Sequence, residues 1–167
     1  MKIFYWSPFI SKVATTSSVI RSAESIVKYS KKENNVNLAI IDAVGEWEDY
    51  KQLVDPKIEI INLNKKKILK YLPKGSFFKS RFSYVLIFIL TFFKLFNLIS
   101  KEKPEYIIAH LLTSIPILLT LIIKNKTKIV LRISGLPKLN FVRYIFWKLF
   151  SKKIYKITCP TLATYEY

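Results

Sequence analysis

Apolar residues in this chain come in two rhythms that take turns from end to end. Short runs rich in Ile, Val, Phe and Tyr occur at 2–6, 36–41, 57–63, 106–109, 128–133 and 154–158. The first of them is apolar nearly throughout, and such runs alternating with helices are the signature of a parallel sheet covered on both faces. Between them lie segments with helical spacing. In 15–32, Val19, Ile20, Ala23, Ile26, Val27 and Ser30 share a face, with Arg21, Glu24 and Lys28 on another. Further helices are expected at 46–53 and 68–72 (both short), 82–101, 114–124 and 138–152, with another beginning at Thr161. Strand and helix thus alternate, which predicts an α/β fold: a mainly parallel sheet of about six strands with helices on both faces. The 2–6 strand is expected at its centre.

Two stretches, 82–99 and 107–123, approach the length of a membrane span. In the first, Ser83, Thr91, Lys94, Asn97 and Lys101 fall near one stripe, which predicts a helix buried in a large core with a single wet edge. The second reads as strand, turn and helix, with Pro116 in the first turn of a helix capped near Thr113 or Ser114. Neither is expected to span.

The 167 residues suffice for one domain over 1–167, and the formal charge of +17 favours acidic partners: nucleic acid, anionic lipid headgroups or phosphorylated small molecules. Lysines are scattered through many turns, so a generally basic surface explains the surplus equally well. No nucleic-acid recognition motif is present, and none is expected to bind. One cysteine, Cys159, excludes an internal disulfide, and a single histidine leaves no cluster for zinc. Three glycines, Gly45, Gly75 and Gly135, exclude a G-x-G-x-x-G fingerprint and a P-loop. No Asp-x-Asp pair exists to hold a divalent metal, so no metal and no cofactor are expected.

Candidate chemistry gathers at strand ends, because ligands of open parallel sheets bind outside the carboxyl ends of the strands. After the first strand, Ser11, Thr15, Thr16 and Ser17 lead into a helix, with Arg21 one to two turns along. These hydroxyls and the free N–H groups of the helix start suit an anion or a sugar; plain N-capping accounts for them as well. His110 ends the 106–109 strand and is a candidate hydrogen-bond partner or general acid/base, or else a satisfied structural residue. Arg132, Ser134 and Gly135 follow the next strand, where Arg132 either meets an anion or pairs with an acid. In 138–152, Leu139, Val142, Ile145, Phe146 and Leu149 are the expected core face. Asn140, Arg143, Tyr144, Trp147, Lys148 and Lys152 occupy the other, a basic-aromatic mixture suited to a lipid interface or to a neighbouring domain.

With those residues assembled, the chain resembles the N-terminal half of family-4 glycosyltransferases, enzymes of the two-domain GT-B fold. The resemblance covers essentially all of it. It is carried by the opening strand and hydroxyl-rich loop at 7–18, Pro104-Glu-Tyr-Ile-Ile-Ala-His110, Leu131-Arg-Ile-Ser-Gly135 and Ile157-Thr-Cys-Pro-Thr161. The segment from Arg132 to Asn140 looks like a branch that builds surface polysaccharides. The resemblance implies a Rossmann-like, acceptor-side domain facing a second domain, absent here, that holds most of the nucleotide-sugar donor. It implies retaining, metal-independent transfer to a glycan or lipid-linked acceptor, with the nucleotide-sugar as co-substrate and His110 near the transferred sugar. A chain that stops one turn into its last helix reads as truncated and, alone, inactive. The parent is expected in the cytoplasm, peripheral at the inner face of the membrane, held to the anionic surface by the basic-aromatic helix. The chain departs from the family where Val13-Ala14-Thr15-Thr16 replaces loop glycines and where no histidine stands near Ser134. A small membrane-associated protein without enzymatic activity is the alternative reading.

Overall fold

The structure, a computed structural model, describes residues 1–11, 14–30, 35–65, 67–123, 125–133 and 140–159. Six strands, β1 (Lys2–Trp6), β2 (Asn37–Asp42), β3 (Ile58–Asn62), β4 (Tyr106–Ala109), β5 (Lys128–Arg132) and β6 (Ile154–Thr158), form one sheet. Every pairing is parallel, and the order is β3-β2-β1-β4-β5-β6. Strand order 3-2-1-4-5-6, reversing beside β1, is that of the doubly wound Rossmann arrangement. The first strand is interior, paired on both sides.

Side-chain alternation divides the core in two. Ile3 and Tyr5 of β1, Leu38 and Ile40 of β2 and Ile58 of β3 pack beneath helix α1 (Ala14–Tyr29) through Val19, Ile20 and Ala23. Phe9 and Trp47 close this layer edge to face, 5.3 Å apart. On the opposite face Phe4, Trp6, Ala39, Ile41, Ile107 and Ile129 meet α2 (Phe77–Glu102) and α3 (Ser114–Ile122). Phe146, Trp147 and Phe150 of α4 (Phe141–Phe150) join this second layer. Strands β1, β2 and β4 are therefore covered on both faces, whereas the edge strand β6 is largely exposed.

Helix α2 differs from expectation in two ways. It starts earlier, at Phe77, because Ser76 caps it with an Oγ that accepts from Lys79 N at 3.3 Å. Its N-terminal half is also turned from the expected phase, while Lys94, Asn97 and Lys101 are exposed as expected. Ser83 and Thr91, expected on a wet edge, are fully buried, their hydroxyls donating to the carbonyls of Pro73 and Ile87 at 2.6 Å each. Hydroxyls that can bond to nearby carbonyls lose little on burial, and they leave the outward face apolar. Helix α4 is likewise turned from its predicted phase. Val142, Ile145 and Leu149, predicted as core, are exposed, whereas Trp147, predicted on the outer face, packs inward with Phe146. Leu139 lies outside the described residues.

The 107–123 stretch is strand, turn and helix, as read from sequence. Only α2, among the described residues, is long and apolar enough to cross a membrane: 26 residues, mean hydropathy 2.0, with 28% of that apolar window buried.

Candidate functional site

The carboxyl edge of the sheet carries a row of polar side chains. Trp6 of β1 aligns with Ile41 of β2 and with Ala109 of β4, and Ala109 aligns with Leu131 of β5. The next residues along, Asp42, Ser7, His110 and Arg132, therefore stand at one level on four neighbouring strands. The backbone continues the ladder there, since His110 N donates to Trp6 O at 3.0 Å. Alternation places all four on the α1 face, with Tyr5 and Ile40 one step below. At about 4.8 Å per strand, the row is ~14 Å long.

Three of its members hold unused bonding capacity. Ser7 Oγ, Asp42 Oδ2 and His110 Nε2 are buried and have no hydrogen-bond partner among the described residues. The same is true of Thr16 Oγ1, on the stripe by which the first turn of α1 meets the sheet, and of Trp47 Nε1 beyond β2. Buried polar atoms are nearly always paired, so five such atoms at one edge mark it as a place where another group belongs.

His110 is the best defined of them. Its residue is 8% exposed and its ring lies 6.1 Å from that of Tyr5, tilted by 40°. Burial, with the Arg132 guanidinium adding to it, pushes the imidazole pKa down to about 4. The ring is therefore neutral at physiological pH and offers one donor and one acceptor. Taking a proton at pH 7 would cost roughly 4 kcal/mol, which suits hydrogen bonding and positioning rather than proton abstraction. Tyr5 keeps its proton too: burial raises its pKa, and its hydroxyl is 2.8 Å from Ser22 Oγ on α1. Arg132 is half-buried and makes no ion pair among the described residues. A half-buried guanidinium beside a neutral imidazole is suited to an anion such as phosphate.

Beyond His110 the chain turns sharply. Leu112 adopts φ 48°, a left-handed conformation that costs a residue with a side chain about 1 kcal/mol. Its carbonyl accepts from Trp6 Nε1 at 3.2 Å, which fixes this turn to β1.

The β2 end is a compact carboxylate turn. Asp42 Oδ1 accepts from Gly45 N (2.6 Å) and Glu46 N (3.1 Å), while the two Glu46 oxygens accept from Ala43 N (3.0 Å) and Val44 N (2.7 Å). Gly45 is required there: φ is +94°, and a Cβ would lie 3.1 Å from Lys67 Cα. Burial and the adjacent Asp42 carboxylate push the Glu46 carboxyl well above its ordinary range. Asn64 ties the turn to α2, donating to Ala43 O at 2.6 Å and accepting from Lys94 Nζ. Among the described residues no three His, Cys, Asp or Glu side chains gather in a metal-binding group.

Of the residues singled out from sequence, Thr16, His110 and Arg132 lie on the α1 face at this edge. Thr15 is half-buried beside Thr16, while Ser11, Ser17 and Arg21 are exposed, the last two off the stripe of α1 that meets the sheet. Ser134 and Gly135 lie outside the described residues. The sequence reading holds Ser7 only as the start of the hydroxyl-rich loop 7–18, and it does not single out Asp42 or Glu46. Ser7 is the first residue after β1, and a search for strand-end residues would have found it; Asp42 closes β2 in the same way.

No family model and no curated protein matches the chain. Among solved structures it is similar to the UDP-GlcNAc 2-epimerase from Methanocaldococcus jannaschii, with 13% sequence identity and a TM-score of 0.49, over 99% of this chain and 40% of that one. The chain thus spans less than half the length of that protein, and its assignment to the Rossmann-like class rests on its own strand order.

Proposed function

We propose that this chain is the acceptor-side half of a glycosyltransferase, receiving a glycan or lipid-linked acceptor for retaining transfer from a nucleotide-sugar. The observation that carries the reading is the row Asp42–Ser7–His110–Arg132, in which a neutral imidazole with a free Nε2 stands between hydroxyl-binding groups and a guanidinium. Sugars present closely spaced hydroxyls that both donate and accept. A carboxylate, a serine hydroxyl and a neutral imidazole side by side match that chemistry, and Arg132 suits the phosphate that a nucleotide-sugar or a lipid-linked carrier brings. The resemblance of the 104–110 and 131–135 segments to family-4 glycosyltransferases supports the same assignment.

In this reading His110 orients a hydroxyl of the transferred sugar through Nε2 and does not remove its proton. Thr16 and the N–H groups of the first turn of α1 complete the polar wall. Most of the donor is held by a second domain. The residues that form the row require no metal to bind neutral hydroxyls, and an anionic ligand beside Arg132 would raise the His110 pKa from its resting value.

Heteronuclear NMR of the chain titrated with a panel of nucleotide-sugars and oligosaccharide or polyprenyl-phosphate acceptors tests this. Shift changes confined to Ser7, Thr16, His110 and Arg132 are expected for at least one acceptor. An Arg132→Gln variant should weaken the binding of phosphate-bearing ligands by about tenfold, the worth of one charge-assisted contact. No perturbation at this edge by any member of the panel would contradict the proposal.

A further inference from the structure

Helix α2 presents an apolar stripe to the outside. Phe78 (81% exposed), Phe82, Val85, Ile89 (63%) and Phe93 (72%) all lie outward. At about 100° per residue they fall within about 80° of arc, on the side opposite Ile87 and Thr91. Polar residues that ordinarily face water, Ser83 and Thr91, are turned inward. A water-facing helix with this distribution is inverted, and contiguous apolar surface of that kind marks an interaction site.

Charge says what kind. Between Ile60 and Lys101 the sequence carries nine Lys and Arg and no acidic residue. Lys79 and Arg81 flank the stripe on its two sides, about 80° from its centre, and Lys74 precedes it; all three are exposed. Arg81 lies over the Phe77 ring at 4.2 Å, which keeps its guanidinium beside the aromatic end of the stripe. An apolar ridge rimmed on both sides by cations matches a bilayer surface with anionic headgroups above acyl chains.

Position adds the third observation. The far end of α2 is fixed at the opposite edge of the sheet, where Lys2 Nζ meets Glu102 at 2.7 Å and Lys103 N closes on Ile99 O. The helix has 26 residues, ~38 Å at 1.5 Å each, whereas strands of five or six residues span only ~20 Å. Its first turns, with Phe77, Phe78 and Phe82, therefore project past the carboxyl edge that carries His110.

We infer that the outer face of α2 is a monotopic docking surface for an anionic membrane, lying in the interface with its aromatic N-terminal end inserted. This moves the membrane contact from α4 to α2. The docking surface itself does not depend on sugar chemistry. Its value to the site does: a lipid-linked acceptor would be presented at the edge past which α2 projects.

Co-sedimentation of the chain with vesicles of pure phosphatidylcholine, and of phosphatidylcholine with 30% phosphatidylglycerol, tests it. Binding is expected to the anionic vesicles and to fall with salt. Phe78→Ser/Ile89→Ser/Phe93→Ser should reduce it at least tenfold, and Lys79→Gln/Arg81→Gln should reduce it on anionic vesicles only. Val142→Ser/Leu149→Ser on α4 should leave it within twofold. Circular dichroism confirms that each variant is folded. Unchanged binding by the α2 triple variant overturns the inference. So does a chain that ignores both vesicles but is dimeric by light scattering and made monomeric by that variant, which would assign the stripe to a second copy. Sugar binding, read by NMR, is unaffected by either outcome and fails separately.

Discussion

His110 shows what a single buried titratable group does to a small protein. Its pKa in the folded chain is about 4, against 6.5 when exposed. At pH 7 the ring is neutral in both states. Below pH 6.5 the unfolded chain takes up a proton that the folded chain refuses until about pH 4, so folding loses stability as pH falls through this window. The full effect is about 3 kcal/mol. Glu46 acts with the opposite sign: its raised pKa removes stability as pH rises above its ordinary value of 4.5. The two terms oppose each other, and comparison with a His110→Gln variant isolates the first. Denaturant unfolding at pH 7 and pH 4 should show the wild type losing about 3 kcal/mol more than the variant. Parallel losses would mean that the ring is solvated in the folded state.

At the scale of elements, α2 illustrates how far hydrophobic pattern reaches. The strands were legible because short β-rich runs alternate with helical segments, and the central ones, β1 and β2, are apolar on both faces, which in a parallel sheet leaves few alternatives. The existence of α2 was equally plain. Its phase was not, because it is apolar almost all round, and periodicity cannot choose the inner face of such a helix. Lys94, Asn97 and Lys101 face water as their polarity suggests, whereas Ser83 and Thr91 bond to the carbonyls of Pro73 and Ile87 and are buried at little cost. Helix α4 failed for a related reason: Trp147 and Phe146 exceed Val142 and Leu149 in apolar area, and the larger residues took the core. The phase is open to direct measurement by urea unfolding. Ser83→Ala removes a buried donor from the Pro73 carbonyl and should cost 1–2 kcal/mol by the usual range for such losses. Phe78→Ser, on the outward stripe, should change stability by less than about 0.5 kcal/mol. The reverse order would place the phase as the sequence first suggested.

At the scale of the molecule, the candidate site exists only because the topology aligns four strand ends. His110 and Arg132 were legible as residues at the ends of strands. Their alignment with Ser7 and Asp42 was not, since lateral register is decided by the order β2-β1-β4-β5 and no local pattern encodes it. Helical phase separates Thr16, against the sheet, from Ser17 and Arg21, which a linear reading had grouped together. The account depends most on the environment at that alignment: a desolvated edge where a neutral imidazole sits beside a guanidinium. Because His110 is the only histidine of the chain, one resonance reports on it without assignment. A proton NMR pH titration of its Hε1 signal should give a midpoint near 4. A midpoint near 6.5 would place the ring in water, away from Arg132, and contradict the site.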